Sequence, residues 1–173
     1  MLKIYEKAAK IRLLLLDVDG VLTDRKIYYT DNGHECKAFN LHDGLGIKLL
    51  IRTGIEVGII TTRESPIVQR RMQELGVKHV YQGFNDKNIA LEQITHSLNL
   101  TTHQIAYVGD DLPDLPIIRK VALGIAVADA LEYVRNHADW ITKAAGGQGA
   151  VREVCELIMH AQGTLNSVYE HYL

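Results

Sequence analysis

The stretch L-L-L-L-D-V-D-G-V-L-T-D, residues 13–24, sets four leucines directly before two carboxylates, Asp17 and Asp19. A short apolar run of this kind reads as a strand covered on both faces. The two acids then stand at its C-terminal end, where open α/β sheets bind ligands. Counting that strand as residues 12–16, further strand-like runs lie at 56–60, 105–108 and 123–127, with a weaker one at 79–81. Helical patterns separate them at 45–52, 67–75, 88–98 and 112–120, and a last one covers 150–162. Pro66 suits the first turn of the second of these. Strand alternating with helix predicts an α/β fold with a parallel sheet.

One segment interrupts the alternation. K-I-Y-Y-T-D-N-G-H-E-C-K-A-F, residues 26–39, holds two strand-like runs around Asp31-Asn32-Gly33. Asn-Gly tolerates the positive φ of a tight turn, so a β-hairpin is expected here, inserted after the first strand. No other long insertion exists, which leaves the chain little material for a lid.

The remaining sequence narrows the class. A chain of 173 residues fits one domain, spanning 1–173, with a single core. Its net charge of −2 gives no basic footprint for nucleic acid. Cys36 and Cys155 stand far apart in no metal-like spacing and read as reduced thiols of a cytoplasmic protein. No apolar run approaches the roughly 20 residues of a membrane span. The mixed, charged start M-L-K-I-Y-E-K-A-A-K does not read as a signal peptide.

A second set of acids follows the strand near 105–108. I-A-Y-V-G-D-D-L-P-D supplies Asp110, Asp111 and Asp114. Two acidic strand ends facing each other would repel and resist desolvation unless a hard divalent cation such as Mg²⁺ sits between them. A calcium loop starting at Asp17 fails, because its fifth position is Val21 and its twelfth is Tyr28 rather than Glu. At the end of I-I-T-T-R, residues 59–63, Thr61 and Arg63 suit a phosphate or other anion. Lys87, in G-F-N-D-K-N-I-A-L, opens a helix against the helix dipole and makes sense if it points at an anion. Taken singly these residues read as caps, loop acids and a surface lysine. Their ordered occurrence at successive strand ends points to a site.

D-V-D-G-V-L-T-D, I-T-T-R, the isolated Lys87 and V-G-D-D-L-P-D resemble the four motifs of the haloacid dehalogenase superfamily of phosphohydrolases. K-A-F-N, D-G-L-G-I, Y-Q-G and A-G-G-Q-G-A-V-R-E resemble one branch of it, the 3-deoxy-D-manno-octulosonate 8-phosphate phosphatases. The resemblance implies a Rossmann-like, capless fold with an inserted β-hairpin. It implies Asp17 as nucleophile and Asp19 as proton donor and then base. Mg²⁺ would be held by Asp17, the backbone carbonyl of Asp19 and Asp110. Thr61 and Lys87 would hold the transferring phosphoryl group, with Asp111 and Asp114 holding metal-bound water or positioning Lys87. The same resemblance implies a homotetramer whose hairpins associate, a neighbour closing each site, and a place in lipopolysaccharide precursor synthesis. The tail Gly146–Gly149 either reaches toward that neighbour or is a simple loop.

Two positions depart from the resemblance: Thr62 stands where a glycine is usual, and His42 where a fixed cation is usual. Arg63 and His42 remain the expected contacts for an acidic sugar. Two other functions stay open at this point: a phosphatase for a nine-carbon ulosonic acid phosphate, and a noncatalytic oligomeric binding protein.

Overall fold

The computed structural model describes residues 1–173. The leucine run forms β1 (Leu13–Leu16), and all four side chains are fully buried. It lies in the middle of the sheet, between β4 (Glu56–Ile60) and β6 (Ile105–Gly109). Beyond β4 is β5 (His79–Tyr81), and beyond β6 come β7 (Leu123–Ala126) and β8 (Trp140–Ile141). The order is β5-β4-β1-β6-β7-β8, with every pair parallel. Strand β8 escaped the sequence reading, since two residues give no periodicity to detect.

From β1 the chain steps outward through α2 (Leu41–Arg52) to β4 and through α3 (Pro66–Leu75) to β5. Helix α4 (Lys87–Leu98) then carries it back across β1 to β6. Right-handed crossovers running in opposite directions place their helices on opposite faces. The reversal lies between β1 and β6, so the crevice at their C-terminal ends is the topological switch point. Helix α7 (Ala150–Ala161) packs along α2, and α1 (Leu2–Ala8), not anticipated from the sequence, packs on α7.

The helix expected at 112–120 is instead a 3-10 turn, Leu112–Asp114, followed by the short α5 (Leu115–Ile118). Pro113 and Pro116 each lack an amide donor, so a continuous α-helical ladder does not form here. A short α6 (Glu132–Arg135) and a terminal α8 (Leu165–Tyr169) complete the chain.

The hairpin forms where expected but is brief. β2 (Tyr28–Tyr29) pairs antiparallel with β3 (Glu35–Cys36). Gly33, at φ 77°, makes the turn. The Gly-rich segment is folded on its own chain. Gly147 N donates to Val21 O at 2.9 Å, and Gly149 N to the buried Asp43 at 3.3 Å. A Cβ on Gly146 would stand 1.7 Å from the Gly20 carbonyl oxygen. Within this chain the segment is therefore a packed loop, since only glycine permits so close a backbone approach.

Candidate active site

The parallel strands end together, and the residues that follow them line one cleft: Asp17 and Asp19 after β1, Thr61 and Arg63 after β4, and Asp110 after β6. Lys87, the first residue of α4, completes it from the side. Asp86 caps that helix by accepting from Asn88 N at 3.0 Å. The Lys87 side chain is thereby free to turn inward, where its ammonium lies 2.7 Å from both Asp17 Oδ1 and Asp114 Oδ1. The side chain is 3% exposed, so its charge depends on those partners. Burial pulls the Lys87 ammonium down, but Asp17 and Asp114 more than offset this and hold its pKa above the ordinary value. An expectation drawn from a mismatch with the helix dipole is thus met: the lysine opens the helix because it serves the carboxylates.

Asp114 accepts four hydrogen bonds. Its Oδ1 takes Lys87 and the hydroxyl of the fully buried Tyr107 (2.6 Å), and its Oδ2 takes Asp110 N (2.8 Å) and Asp111 N (3.1 Å). Burial, and then the nearby charge of Asp114, hold the Tyr107 hydroxyl well above its usual pKa. Asp111 is exposed and caps the 3-10 turn by accepting from Leu112 N at 2.8 Å. Of these two acids, Asp114 is the one in contact with Lys87.

Carboxylate oxygens of Asp17, Asp110 and Asp114 lie within 4.8 Å of one another. Because Asp114 is saturated with donors, Asp17 and Asp110 are the better metal ligands. Asp110 Oδ1 is buried with no hydrogen-bond partner, an arrangement that costs stability unless a cation or water completes it. The donors are all oxygen, which suits Mg²⁺. Burial and the Asp114 charge push Asp110 up to about 6, against the pull of Arg25. They raise Asp17 too, since burial and Asp114 outweigh Lys87. A bound cation would oppose both shifts by favouring the ionised carboxylates. Gly20, at φ 99°, lets the loop pass over this cluster, since a Cβ there would lie 2.1 Å from Asp110 Oδ2.

The Asp19 carboxylate stands outside this triad. It meets Lys37 from the hairpin, and Arg63 Nε lies 3.7 Å from its Oδ2. Thr61 is buried, and its hydroxyl accepts from Arg63 N at 3.4 Å. His42 does not join the cleft of its own chain. It is exposed at the start of α2, where its amide donates to Asn40 Oδ1. Sequence reading missed Lys37, Glu35 and Arg25. Glu35 and Lys37 flank Cys36, a spacing that puts their side chains on one side of an extended segment, and that signal was present in the sequence. Arg25 carried no such signal: it sits at φ 68° and its Nε reaches Asp110 Oδ2 at 2.6 Å.

Known proteins share this chain's sequence and fold. Residues 79–154 match the model of the haloacid dehalogenase-like hydrolases. The chain is 50% identical over 163 residues to the 3-deoxy-D-manno-octulosonate 8-phosphate phosphatase KdsC of Escherichia coli strain K12, covering 94% of this chain and 87% of that one. A probable YrbI family phosphatase from Pseudomonas syringae pv. phaseolica superposes with a TM-score of 0.98 at 48% identity, covering 99% of this chain and 98% of that chain. The 3-deoxy-D-manno-octulosonate 8-phosphate phosphatase of Moraxella catarrhalis, in complex with magnesium ion, phosphate ion and KDO, gives 0.98 at 46% identity, covering 100% and 99%. The fold is that of a phosphohydrolase of the haloacid dehalogenase type. Within that class the chain belongs to the family of 3-deoxy-D-manno-octulosonate 8-phosphate phosphatases.

Proposed function

We propose that this protein hydrolyses 3-deoxy-D-manno-octulosonate 8-phosphate to the free eight-carbon sugar acid and phosphate, a step in lipopolysaccharide precursor synthesis. The observation that carries the chemistry is the buried Lys87 held between Asp17 and Asp114, beside the unpartnered Asp110 Oδ1. Identity of 50% to the Escherichia coli enzyme supports the substrate.

In this reading Lys87 fixes Asp17 by its Oδ1, and the other oxygen attacks phosphorus. The phosphorus–oxygen bond to the sugar breaks as Asp19 gives its proton to the departing alkoxide. Asp19 then takes a proton from water, which attacks the phosphoaspartate and releases phosphate and Asp17. Thr61 and Lys87 hold the equatorial phosphoryl oxygens, where charge spreads in the transition state. Asp17, Asp110 and the backbone carbonyl of Asp19 would hold Mg²⁺, which would screen the repulsion between a carboxylate and a phosphate dianion. Arg63 offers a forked donor to the substrate's acid group at the mouth.

The chain alone does not cover its cleft, and the hairpin leaves Ile27, Tyr28 and Tyr29 42%, 44% and 66% exposed. These features support a homotetramer in which hairpins associate and a neighbour closes each site, with His42 available to that neighbour. No helix is long and apolar enough to cross a membrane. A cytoplasmic site of action fits the two free cysteines.

Phosphate release from the eight-carbon substrate, a nine-carbon ulosonic acid phosphate and a neutral sugar phosphate, each with Mg²⁺ and with chelator, tests the reading. Mg²⁺-dependent preference for the eight-carbon acid is expected. A preference for the neutral ester would remove the acidic-substrate assignment. Negligible turnover of all three in both conditions would leave a binding protein. Light scattering should show a tetramer that dissociates when residues 27–36 are replaced by a short turn.

A further inference from the structure

The hairpin contributes more than exposed tyrosines. Lys37, one residue beyond β3, has a side chain only 1% exposed within the single chain. Its ammonium meets Asp19 Oδ1 and lies 2.9 Å from Glu35 Oε1. Glu35 in turn holds Arg63 Nη2 at 2.9 Å through its other oxygen. With Arg63 Nε 3.7 Å from Asp19 Oδ2, four groups of alternating sign close a ring around Asp19.

Ion pairs at a surface contribute little to stability, about 0–1 kcal/mol. A buried ammonium is different, because desolvation makes it depend on close partners. The ring also fixes a carboxylate that has no partner in the deeper network. Lys87, Tyr107 and Asp114 bond to one another, Lys87 also bonds Asp17, and none of the three bonds to Asp19. Glu35 in β3 and Lys37 just after it lie two residues apart in an extended segment and turn the same way, so the short strand and the residue that follows it bring both groups to Asp19 and Arg63.

We propose that Lys37, aligned by Glu35, is a positioning residue that holds Asp19 where its carboxyl meets the leaving-group oxygen. The hairpin is then a working part of proton transfer in each subunit. This rests on the assignment of Asp19 as proton donor, and the test separates the two claims.

The measurement is kcat/KM, which reports events up to departure of the leaving group, across substituted phenyl phosphates from 4-nitrophenyl phosphate to unsubstituted phenyl phosphate. A good leaving group needs no proton and a poor one does. These esters lack the sugar, so lost sugar contacts cannot produce the pattern. Wild type, D19N, K37M, K37R and E35Q are compared, each checked for folding by circular dichroism.

D19N and K37M should both steepen the dependence on leaving-group pKa, with K37M losing at least about tenfold more on phenyl phosphate than on 4-nitrophenyl phosphate. K37R should recover part of that loss, and E35Q should show the same pattern more weakly. If D19N steepens the dependence and K37M loses equally on every ester, Lys37 only anchors the hairpin and the proposal fails alone. If D19N itself loses equally on every ester, Asp19 is not the proton donor and both claims fall. Should K37M not fold, E35Q and K37R decide the matter: slopes parallel to wild type in both overturn it.

Discussion

The floor of the cleft and its rim solve the same electrostatic problem by different means. At the floor, Asp17, Lys87, Tyr107, Asp110 and Asp114 are buried under the sheet's C-terminal edge and tied to strands or to a helix start. At the rim, Asp19, Glu35, Lys37 and Arg63 meet across a loop, a brief hairpin and a strand end, and Arg63 is 38% exposed. The floor inherits its precision from the core, because a strand end cannot move without its neighbours. The rim inherits it from mutual ion pairing, because two hydrogen-bonded residues per strand hold little by themselves. The floor is suited to attack on phosphorus, and the rim to the group that must meet varying leaving oxygens.

The largest expected effect falls on the floor. D17N should reduce kcat by about 10³-fold or more, and in chelator its melting temperature should equal or exceed that of wild type. The substitution removes a charge that Asp110 and Asp114 repel. A large fall in melting temperature would mean that Asp17 is held mainly for structure.

K87M should cost both activity and stability. It leaves Asp17 and Asp114 buried without their shared cation, and a broken buried pair typically costs about 3–5 kcal/mol. Denaturant unfolding in chelator measures this. K37M, at the rim, should cost less than half as much; an equal cost would erase the distinction between the two regions.

Acidity sharpens the contrast. Asp110 has a folded pKa of about 6, above its ordinary value, and Asp17 is also raised. A carboxylate raised in the folded state favours folding most when protonated. Its contribution is therefore full below the ordinary carboxylate range and lost as pH rises through about 6. For Asp110 alone the loss approaches about 3 kcal/mol, at 1.36 kcal/mol per pKa unit. Metal-free protein should lose stability from pH 4.5 to 7.5 on this account. The rise in melting temperature produced by Mg²⁺ should grow over the same interval, since the ion binds the ionised acids. A Mg²⁺ shift that is flat or shrinking with pH would mean that these two acids do not hold the ion.

The smallest effect is Y107F. Asp114 keeps three of its four donors, so the loss should be about 1 kcal/mol by chemical denaturation. Turnover should fall only a fewfold.

Much of this was legible in the residues. The leucine run before Asp17 predicted a buried strand, Asn32-Gly33 predicted the hairpin turn, and Lys87 betrayed itself by opening a helix against the dipole. What was missed was either too short to show a pattern or set by contacts that no local signal carries. Strand β8 is too short to show a period, and the expected helix at 112–120 is interrupted by two prolines whose joint effect depends on Asp114 folding back to bond the Asp110 and Asp111 amides. Lys37 lies in a quoted motif, yet nothing local says that its ammonium turns inward.

Apolar period, turn chemistry and capping act over a few residues, so the sequence by itself determined the alternating α/β plan and which acids end its strands. Which charges meet depends on contacts between residues as far apart as Asp17 and Lys87, or Asp43 and Gly149. Only the tertiary structure decided that Asp114 is saturated, that Asp110 keeps an open oxygen, and that a hairpin lysine reaches Asp19. The reason is that the energy of a buried charge is set by whatever surrounds it, and folding alone brings those surroundings together.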